Sequence, residues 1–262
     1  MTANNRFALS KEMENRRLAG WRSRTTNRRF SYGDTVDLPG NGRRTDQPAY
    51  DNRGQFWESV SSIKSLRQIT NGEILQNIFS RIFGSPSIGM DFIFLRPVAG
   101  GKFTHMHCDA GFFTRATKKI LTCWLVFTDI TFDKGPLYII KDSHRFEDIR
   151  KRFVDFDVDN HKAKKATIDT HPIMFAEERN SKILTAEFKP GDVLIFGMYT
   201  VHGTFDNHAK NNKIRLTCDL RFQPKNEPKD PRYFGPKPGG TTGAGYGELN
   251  SARPLNEDWH SR

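Results

Sequence analysis

The chain has 262 residues, of which 36% are hydrophobic and 27% are charged, a composition typical of globular proteins. A chain of this length can bury a sizeable core, and we expect a single domain. The formal net charge of +11 is compatible with a nucleic acid or an organic anion as partner. The basic residues are scattered and form no stripe interleaved with aromatic side chains, so ordinary surface charge is the favoured explanation.

Targeting signals and paired cysteines are not apparent in the sequence. No apolar run approaches the ~20 residues that a membrane helix needs, and the opening stretch MTANNRFALSKEMENRR lacks the apolar centre of a secretory signal. We therefore expect a cytoplasmic protein that does not bind membranes. Its cysteines, Cys108, Cys123 and Cys218, show no Cys-x-x-Cys spacing, which argues against a disulfide framework and a structural zinc site. They are predicted to be reduced thiols in the core.

One amphipathic helix is predicted early in the chain, after a polar segment. Residues 1–69 are treated as this polar segment, and about the first sixty are predicted to be mostly irregular. The stretch 70-TNGEILQNIFSRIFG-84 has apolar pairs one turn apart, which predicts a helix that packs on the next part of the chain. Thr70 and Glu73 stand at the spacing of a capping box, and Gly84 stands where a helix often ends in a left-handed residue.

Strand-like runs come after the helix and define a core over residues 70–224. They are rich in β-branched and aromatic residues, are separated by Gly, Pro and Asp turns, and read MDFIFLRPV, KFTHMHCD, KKILTCWLVFTDI, GPLYIIK, ILTAEFKPGD, DVLIFGMYTVHG and KIRLTCDLRFQP. This pattern predicts a two-sheet barrel or jelly roll. A charged segment near 145–181 is predicted to be an insertion between strands. The Pro- and Gly-rich residues 225–262 are predicted to form an extended arm along the surface.

The stretch 102-KFTHMHCDAGFF-113 carries candidate metal ligands. His105, His107 and Asp109 occupy every second position, so a strand here points all three to one face. A His-x-Asp pair supplies two ligands of the two-histidine, one-carboxylate triad that leaves positions on Fe(II) open. We assign His107 and Asp109, because His105 lies about 7 Å further back along a strand. With eight histidines in the chain, the pair alone is weak evidence.

A third ligand and a co-substrate anchor are predicted on later strands. His202 comes after a Gly-Asp turn and an apolar strand in 190-PGDVLIFGMYTVHGT-204. Arg215, thirteen positions later on an otherwise apolar strand, is predicted to bind the distal carboxylate of 2-oxoglutarate, with Thr204 adding a hydroxyl. The alternative for Arg215 is an ion pair with Asp219 on the same strand face.

Two further groups of residues are assigned to the walls of the site. Thr122 and Trp124 alternate onto one strand face and are predicted to line the floor of the co-substrate cavity, with ordinary core packing as the alternative. Phe112, Phe113 and Arg115 come just after the metal pair and are predicted to contact the substrate. An apolar molecule with an anionic group would suit these three side chains.

Taken together, these motifs resemble the phytanoyl-CoA dioxygenase family of Fe(II)- and 2-oxoglutarate-dependent oxygenases. The resemblance runs from about Phe92 to Pro224 and rests on His107-Cys108-Asp109, 135-GPLYIIKDSHR-145, the run 190–204, and Arg215 with Thr217. It implies an all-β core with flanking helices, folded as a double-stranded β-helix of the cupin type. It also implies Fe(II) as the cofactor, with 2-oxoglutarate and O2 consumed in the reaction and 2-oxoglutarate leaving as succinate.

Hydroxylation of a small organic molecule is the function that the sequence favours. Halogenation is disfavoured, because a halide needs the metal position that Asp109 occupies. Nucleic-acid demethylation is suggested by the net charge and by Arg215 and Arg221, six residues apart, but the long gap between His107 and His202 argues against it. Arg221 is expected about 20 Å along the strand from Arg215, beyond the same carboxylate. A non-enzymatic metal-binding cupin is the third alternative.

Overall fold

The computed structural model describes residues 60–98, 100–160, 165–209, 213–236 and 238–240. The predictions for residues 1–59 and 241–262 lie outside these ranges. The described helices are α1 Lys64–Thr70, α2 Glu73–Phe83, α3 Glu147–Phe153 and α4 Pro172–Glu177. The described strands are β1 Ser87–Gly89, β2 Phe94–Val98, β3 Leu121–Val126, β4 Leu137–Ile140, β5 Ile183–Thr185, β6 Val193–Gly197, β7 His202–Thr204 and β8 Arg215–Pro224.

Two antiparallel sheets form the core of the described chain. The larger sheet has the order β1-β8-β3-β6, and β2 also pairs with β8. The smaller sheet has the order β5-β4-β7. Strand β8 organises the larger sheet, because its ten residues pair with β2 and then β1 on one side and with β3 on the other. This arrangement confirms the predicted all-β core with flanking helices.

Helix α2 covers the larger sheet. Phe79 is fully buried and stacks on Phe222 of β8, with ring centroids 4.0 Å apart. The helix ends as predicted at Gly84, whose φ of 66° is left-handed. The predicted capping box is wrong, because Thr70 ends α1 and Gly72 takes the N-cap position of α2. One isoleucine of each predicted apolar pair stays exposed: Ile74, Ile78 and Ile82.

The predicted strand over 102–109 is wrong. His107 makes only isolated bridges, to Thr167 and to His202, and a 3-10 helix spans Asp109–Phe112. Backbone hydrogen bonds on both sides of Cys108 hold this segment out of a regular strand. His107 exchanges two hydrogen bonds with His202, and the Ala110 amide donates to the carbonyl of Met198. Register with a distant segment therefore determines the local conformation.

The segments between and after the strands also take defined positions. The predicted run 192–203 is split into β6 and β7, which belong to different sheets. The charged segment contains α3 and α4 and connects β4 to β5. The predicted surface arm is contradicted in part: residues 225–229 are exposed or half-buried, whereas Asp230, Arg232 and Tyr233 are fully buried. The Tyr233 hydroxyl and Arg232 Nη2 donate to the carbonyl of Phe112 at 2.8 and 3.1 Å, which ties this tail to the 3-10 helix.

The cysteine prediction is confirmed, since Cys108, Cys123 and Cys218 are all buried and unbridged. Burial raises the pKa of the Cys108 and Cys123 thiols to about 12, so both stay protonated near neutral pH. Within the described ranges, none of the helices has the length and apolar character needed to cross a membrane.

Candidate metal centre

Three buried side chains converge between the two sheets. His107, Asp109 and His202 each offer one ligand atom, and the three atoms lie within 4.8 Å of one another. Asp109 Oδ1 lies 3.7 Å from Nε2 of His107 and 4.0 Å from Nε2 of His202. The structure thus brings together the three residues that the sequence predicted as metal ligands.

Both imidazoles present a ring nitrogen that is suited to metal binding. Nδ1 of His107 lies 2.7 Å from the carbonyl of His105, and Nδ1 of His202 lies 2.9 Å from the carbonyl of Thr200. A carbonyl can only accept, so Nδ1 carries the proton in each ring and the lone pair of the neutral form is on Nε2. Burial and the nearby His107 lower the pKa of His202 to about 4, which keeps that ring neutral at physiological pH.

The carboxylate of Asp109 is held in its charged form. Burial by itself raises the pKa of this group, but the positive charge of the Arg221 guanidinium outweighs that effect and holds the pKa well below its usual range. Two imidazole nitrogens and one carboxylate oxygen form the donor set of the non-haem Fe(II) triad. The residues present therefore fit an Fe(II) ion.

His105 stands apart from this group, as the sequence predicted. Its ring packs edge-on against Phe103, with centroids 4.6 Å apart. Among the described residues, the cluster of possible ligands comprises His107, Asp109 and His202. The contribution of His105 is its backbone carbonyl, which accepts the hydrogen bond from His107.

A small cavity beside the three side chains contains the predicted co-substrate residues. Its lining includes His107, His202, Thr122, Trp124, Thr204, Arg215, Arg96, Thr217, Asp219 and Arg221. Arg215 is only 1% exposed, and its guanidinium donates to the Thr204 hydroxyl at 3.1 Å and to the carbonyl of Gly135. Asp219, the alternative partner proposed for Arg215, pairs instead with Arg96 at 2.7 Å.

Comparison with known families settles the class of protein. The model of the family described as Phytanoyl-CoA dioxygenase (PhyH) matches residues 16–215. The chain belongs to the phytanoyl-CoA dioxygenase family. It is therefore an enzyme of the Fe/2-oxoglutarate-dependent oxygenases, with iron and 2-oxoglutarate as cofactor and co-substrate. This membership removes the alternative of a non-enzymatic cupin.

Solved structures share the fold. The non-heme alpha ketoglutarate dependent epimerase SnoN from nogalamycin biosynthesis is 17% identical, with a TM-score of 0.50, over 96% of this chain and 88% of that chain. The carbocyclase SnoK from nogalamycin biosynthesis is 16% identical, with a TM-score of 0.52, over 77% of this chain and 72% of that chain. These likenesses confirm the predicted jelly roll of the cupin type. Comparison with curated protein sequences gives no match.

Arg221 is a site residue of this PhyH-family protein that the sequence prediction placed elsewhere. Its Nη2 donates to Asp109 Oδ2 at 2.9 Å, so Arg221 belongs to the metal centre, whereas its position beyond the 2-oxoglutarate carboxylate stays a prediction. Alternate residues of β8, from Arg215 through Thr217 and Asp219 to Arg221, all line the cavity. The period-two pattern of polar residues in RLTCDLR is the sequence signal that could have revealed this.

The residues predicted on the cavity floor have distinct surroundings. The Thr122 hydroxyl donates to Asp109 Oδ2 at 2.6 Å, so this side chain acts on the carboxylate. Trp124 lines the cavity and packs edge-on against Phe188, with centroids 4.9 Å apart. Both residues lie on the predicted face of β3, and Trp124 combines a position on the cavity wall with core packing.

The three residues predicted to contact substrate are buried or ion-paired. The Phe112 ring lies edge-on to His107, at 6.5 Å between centroids, and the Phe113 ring packs on Tyr233 at 4.7 Å. Arg115 donates from two nitrogens to the two oxygens of Asp157, each at 3.0 Å. Because a carboxylate already compensates its charge, Arg115 is poorly placed to attract an anionic substrate. Contact between these residues and substrate stays a prediction.

Proposed function

We propose that this protein hydroxylates a small organic molecule with Fe(II) bound by His107, Asp109 and His202. The observation that supports this most strongly is the convergence of three ligand atoms of the appropriate kinds within 4.8 Å, buried beside a cavity that contains Arg215. Bound iron supplies the oxidation: one atom of O2 enters a C–H bond of the substrate, and the other enters 2-oxoglutarate, which leaves as succinate and CO2.

Arg215 and Thr204 are proposed to hold the distal carboxylate of 2-oxoglutarate. The guanidinium is fixed by the carbonyl of Gly135 and by the Thr204 hydroxyl. A planar guanidinium that is held in this way can bind a carboxylate with little further loss of conformational freedom. Arg96 and Arg221 of the same lining pair with the carboxylates of Asp219 and Asp109, whereas Arg215 donates to these two uncharged oxygens, so its charge favours an anionic co-substrate.

The ligand assignment is tested by single substitutions with His105 as the matched control. We expect His107→Ala, Asp109→Ala and His202→Ala each to abolish Fe(II)-dependent succinate formation. His105→Ala should keep most of it, because the alanine retains the backbone carbonyl that orients His107. Loss of iron binding in His105→Ala together with wild-type iron affinity in Asp109→Ala would show that the assignment is wrong.

The reaction type is tested by analysing the product. With a candidate substrate, hydroxylation adds one oxygen atom to the product and forms one succinate for each product molecule. The names of SnoN and SnoK describe an epimerase and a carbocyclase, so the same fold also carries reactions of other kinds. A product that contains no added oxygen would contradict the proposed hydroxylation while leaving the metal site in place.

A further inference from the structure

The two oxygens of the Asp109 carboxylate have different surroundings. Oδ1 faces Nε2 of both His107 and His202, at 3.7 and 4.0 Å. Oδ2 points away from them and accepts two hydrogen bonds, from the Thr122 hydroxyl at 2.6 Å and from Arg221 Nη2 at 2.9 Å. Asp109, Thr122 and Arg221 are each at most 5% exposed, so solvent does not compete for these contacts.

The two donors to Oδ2 are held in place by the larger sheet. Thr122 of β3 and Arg221 of β8 are directly opposite each other in the antiparallel ladder, so a single cross-strand pair supplies both hydrogen bonds. The guanidinium of Arg221 also lies over the rings of Phe94 and Phe113, at 5.5 and 5.0 Å from the ring centroids. The backbone register and this packing together limit where the guanidinium can go.

The position of Oδ2 matters for a metal that must keep open coordination sites. A carboxylate can bind through one oxygen or through both, and binding through both occupies an additional position. A carboxylate bound through both oxygens therefore leaves one open position fewer for co-substrate and O2 than a carboxylate bound through one oxygen. A hydrogen bond from a guanidinium to a carboxylate is among the strong ones, and here it engages the oxygen that faces away from the histidines.

We propose that Arg221, together with Thr122, is a positioning residue that keeps Asp109 bound to the metal through Oδ1 alone. This inference rests on the proposed metal site. Arg221 lies beyond residue 215, where the match to the family ends, and neither Arg221 nor Thr122 contributes a ligand atom to the cluster. Their function is to leave a coordination position available for 2-oxoglutarate.

Cobalt(II) provides a readout that does not depend on turnover, since its visible absorption changes with coordination number and geometry. We would load the full-length wild type, Arg221→Met and Thr122→Val with Co(II) and titrate each with 2-oxoglutarate. In Arg221→Met we expect Co(II) affinity to be kept or increased, the absorption spectrum to change, and 2-oxoglutarate affinity to fall by roughly tenfold or more. Thr122→Val should show the same changes at smaller size.

Two comparisons separate positioning from other effects. Thr122→Val changes no charge, so a change in its spectrum cannot come from lost electrostatic attraction. Arg96→Met removes another buried guanidinium of the same cavity, whose partner is Asp219, and should leave the Co(II) spectrum as in the wild type. A merely structural role for Arg221 would weaken Co(II) and 2-oxoglutarate binding together.

The inference is overturned if Thr122→Val and Arg221→Met keep the wild-type spectrum and 2-oxoglutarate affinity. It is also overturned if both affinities fall in parallel, or if Arg96→Met produces the same spectral change. Should Arg221→Met fail to fold, Thr122→Val decides the question alone. If the wild type itself does not bind Co(II), the proposed metal site fails and this inference falls with it.

Discussion

Substitution of Arg215 by lysine tests the co-substrate pocket directly. The native guanidinium is buried and donates to the carbonyl of Gly135 and, at 3.1 Å, to the Thr204 hydroxyl. Lysine keeps the positive charge, but its single ammonium cannot contact the Gly135 carbonyl, Thr204 and a carboxylate in the same planar arrangement. The substitution therefore removes the planar arrangement of hydrogen-bond donors while it keeps the positive charge.

The expected effect is a loss of 2-oxoglutarate affinity with little change in metal affinity. A hydrogen bond to a charged group contributes about 1.5–3 kcal/mol, which corresponds to a rise in Kd of roughly tenfold to a hundredfold. Because Arg215 is 1% exposed, solvent screening does not reduce this effect. Isothermal titration calorimetry of 2-oxoglutarate into metal-loaded protein without oxygen measures it, and a separate metal titration gives the metal affinity.

Arg179→Lys is the control for an arginine-to-lysine change elsewhere in the chain. Arg179 pairs with Asp148 at the surface and is not part of the cavity lining, so its replacement should leave 2-oxoglutarate affinity unchanged. Two results would refute the reasoning: a wild-type Kd for 2-oxoglutarate in Arg215→Lys, or a loss of metal affinity as large as the loss of co-substrate affinity.

Three further substitutions test the metal site and its supports. Asp109→Ala should leave weak metal binding by the two histidines and no succinate formation, and full activity would rule out the carboxylate as a ligand. Gly135→Ala should lower Tm and weaken 2-oxoglutarate binding, because φ is 66° and a Cβ would lie 2.0 Å from the carbonyl oxygen of Phe205; an unchanged melting curve would contradict this. Phe79→Ala should cost about 3–5 kcal/mol in chemical denaturation, because its ring stacks on Phe222, and a loss under about 1 kcal/mol would show that the helix contributes little.

The metal ligands could be predicted even though the prediction of the local secondary structure was wrong. Residue chemistry and spacing selected His107, Asp109 and His202, although the exclusion of His105 was argued from a strand that the structure does not contain. The 3-10 helix was missed because it results from backbone pairing with residues near His202, far away in sequence. Side-chain type is a local property of the sequence, whereas the register of a bridge is not.

Arg221 and the buried tail were missed for a related reason. A strand rise places Arg221 far from Arg215, but its long side chain reaches Asp109 from the opposite end of the cavity. The composition of the tail, polar and rich in Pro and Gly, predicts exposure, yet Arg232 is buried with Asp230 and Asp159 as ion-pair partners. Polar composition indicates exposure only when the polar groups do not satisfy one another.

The buried tail bears on where the functional unit of this protein ends. The family match stops at residue 215, the first position of β8. A chain cut there would lose the rest of the central strand, the guanidinium on Asp109, and the Arg232 and Tyr233 donors to Phe112. A boundary drawn from homology would thus produce an apparently complete catalytic domain that lacks the supports of its own metal-binding loop. For expression and assay, the chain should therefore extend at least through residue 240.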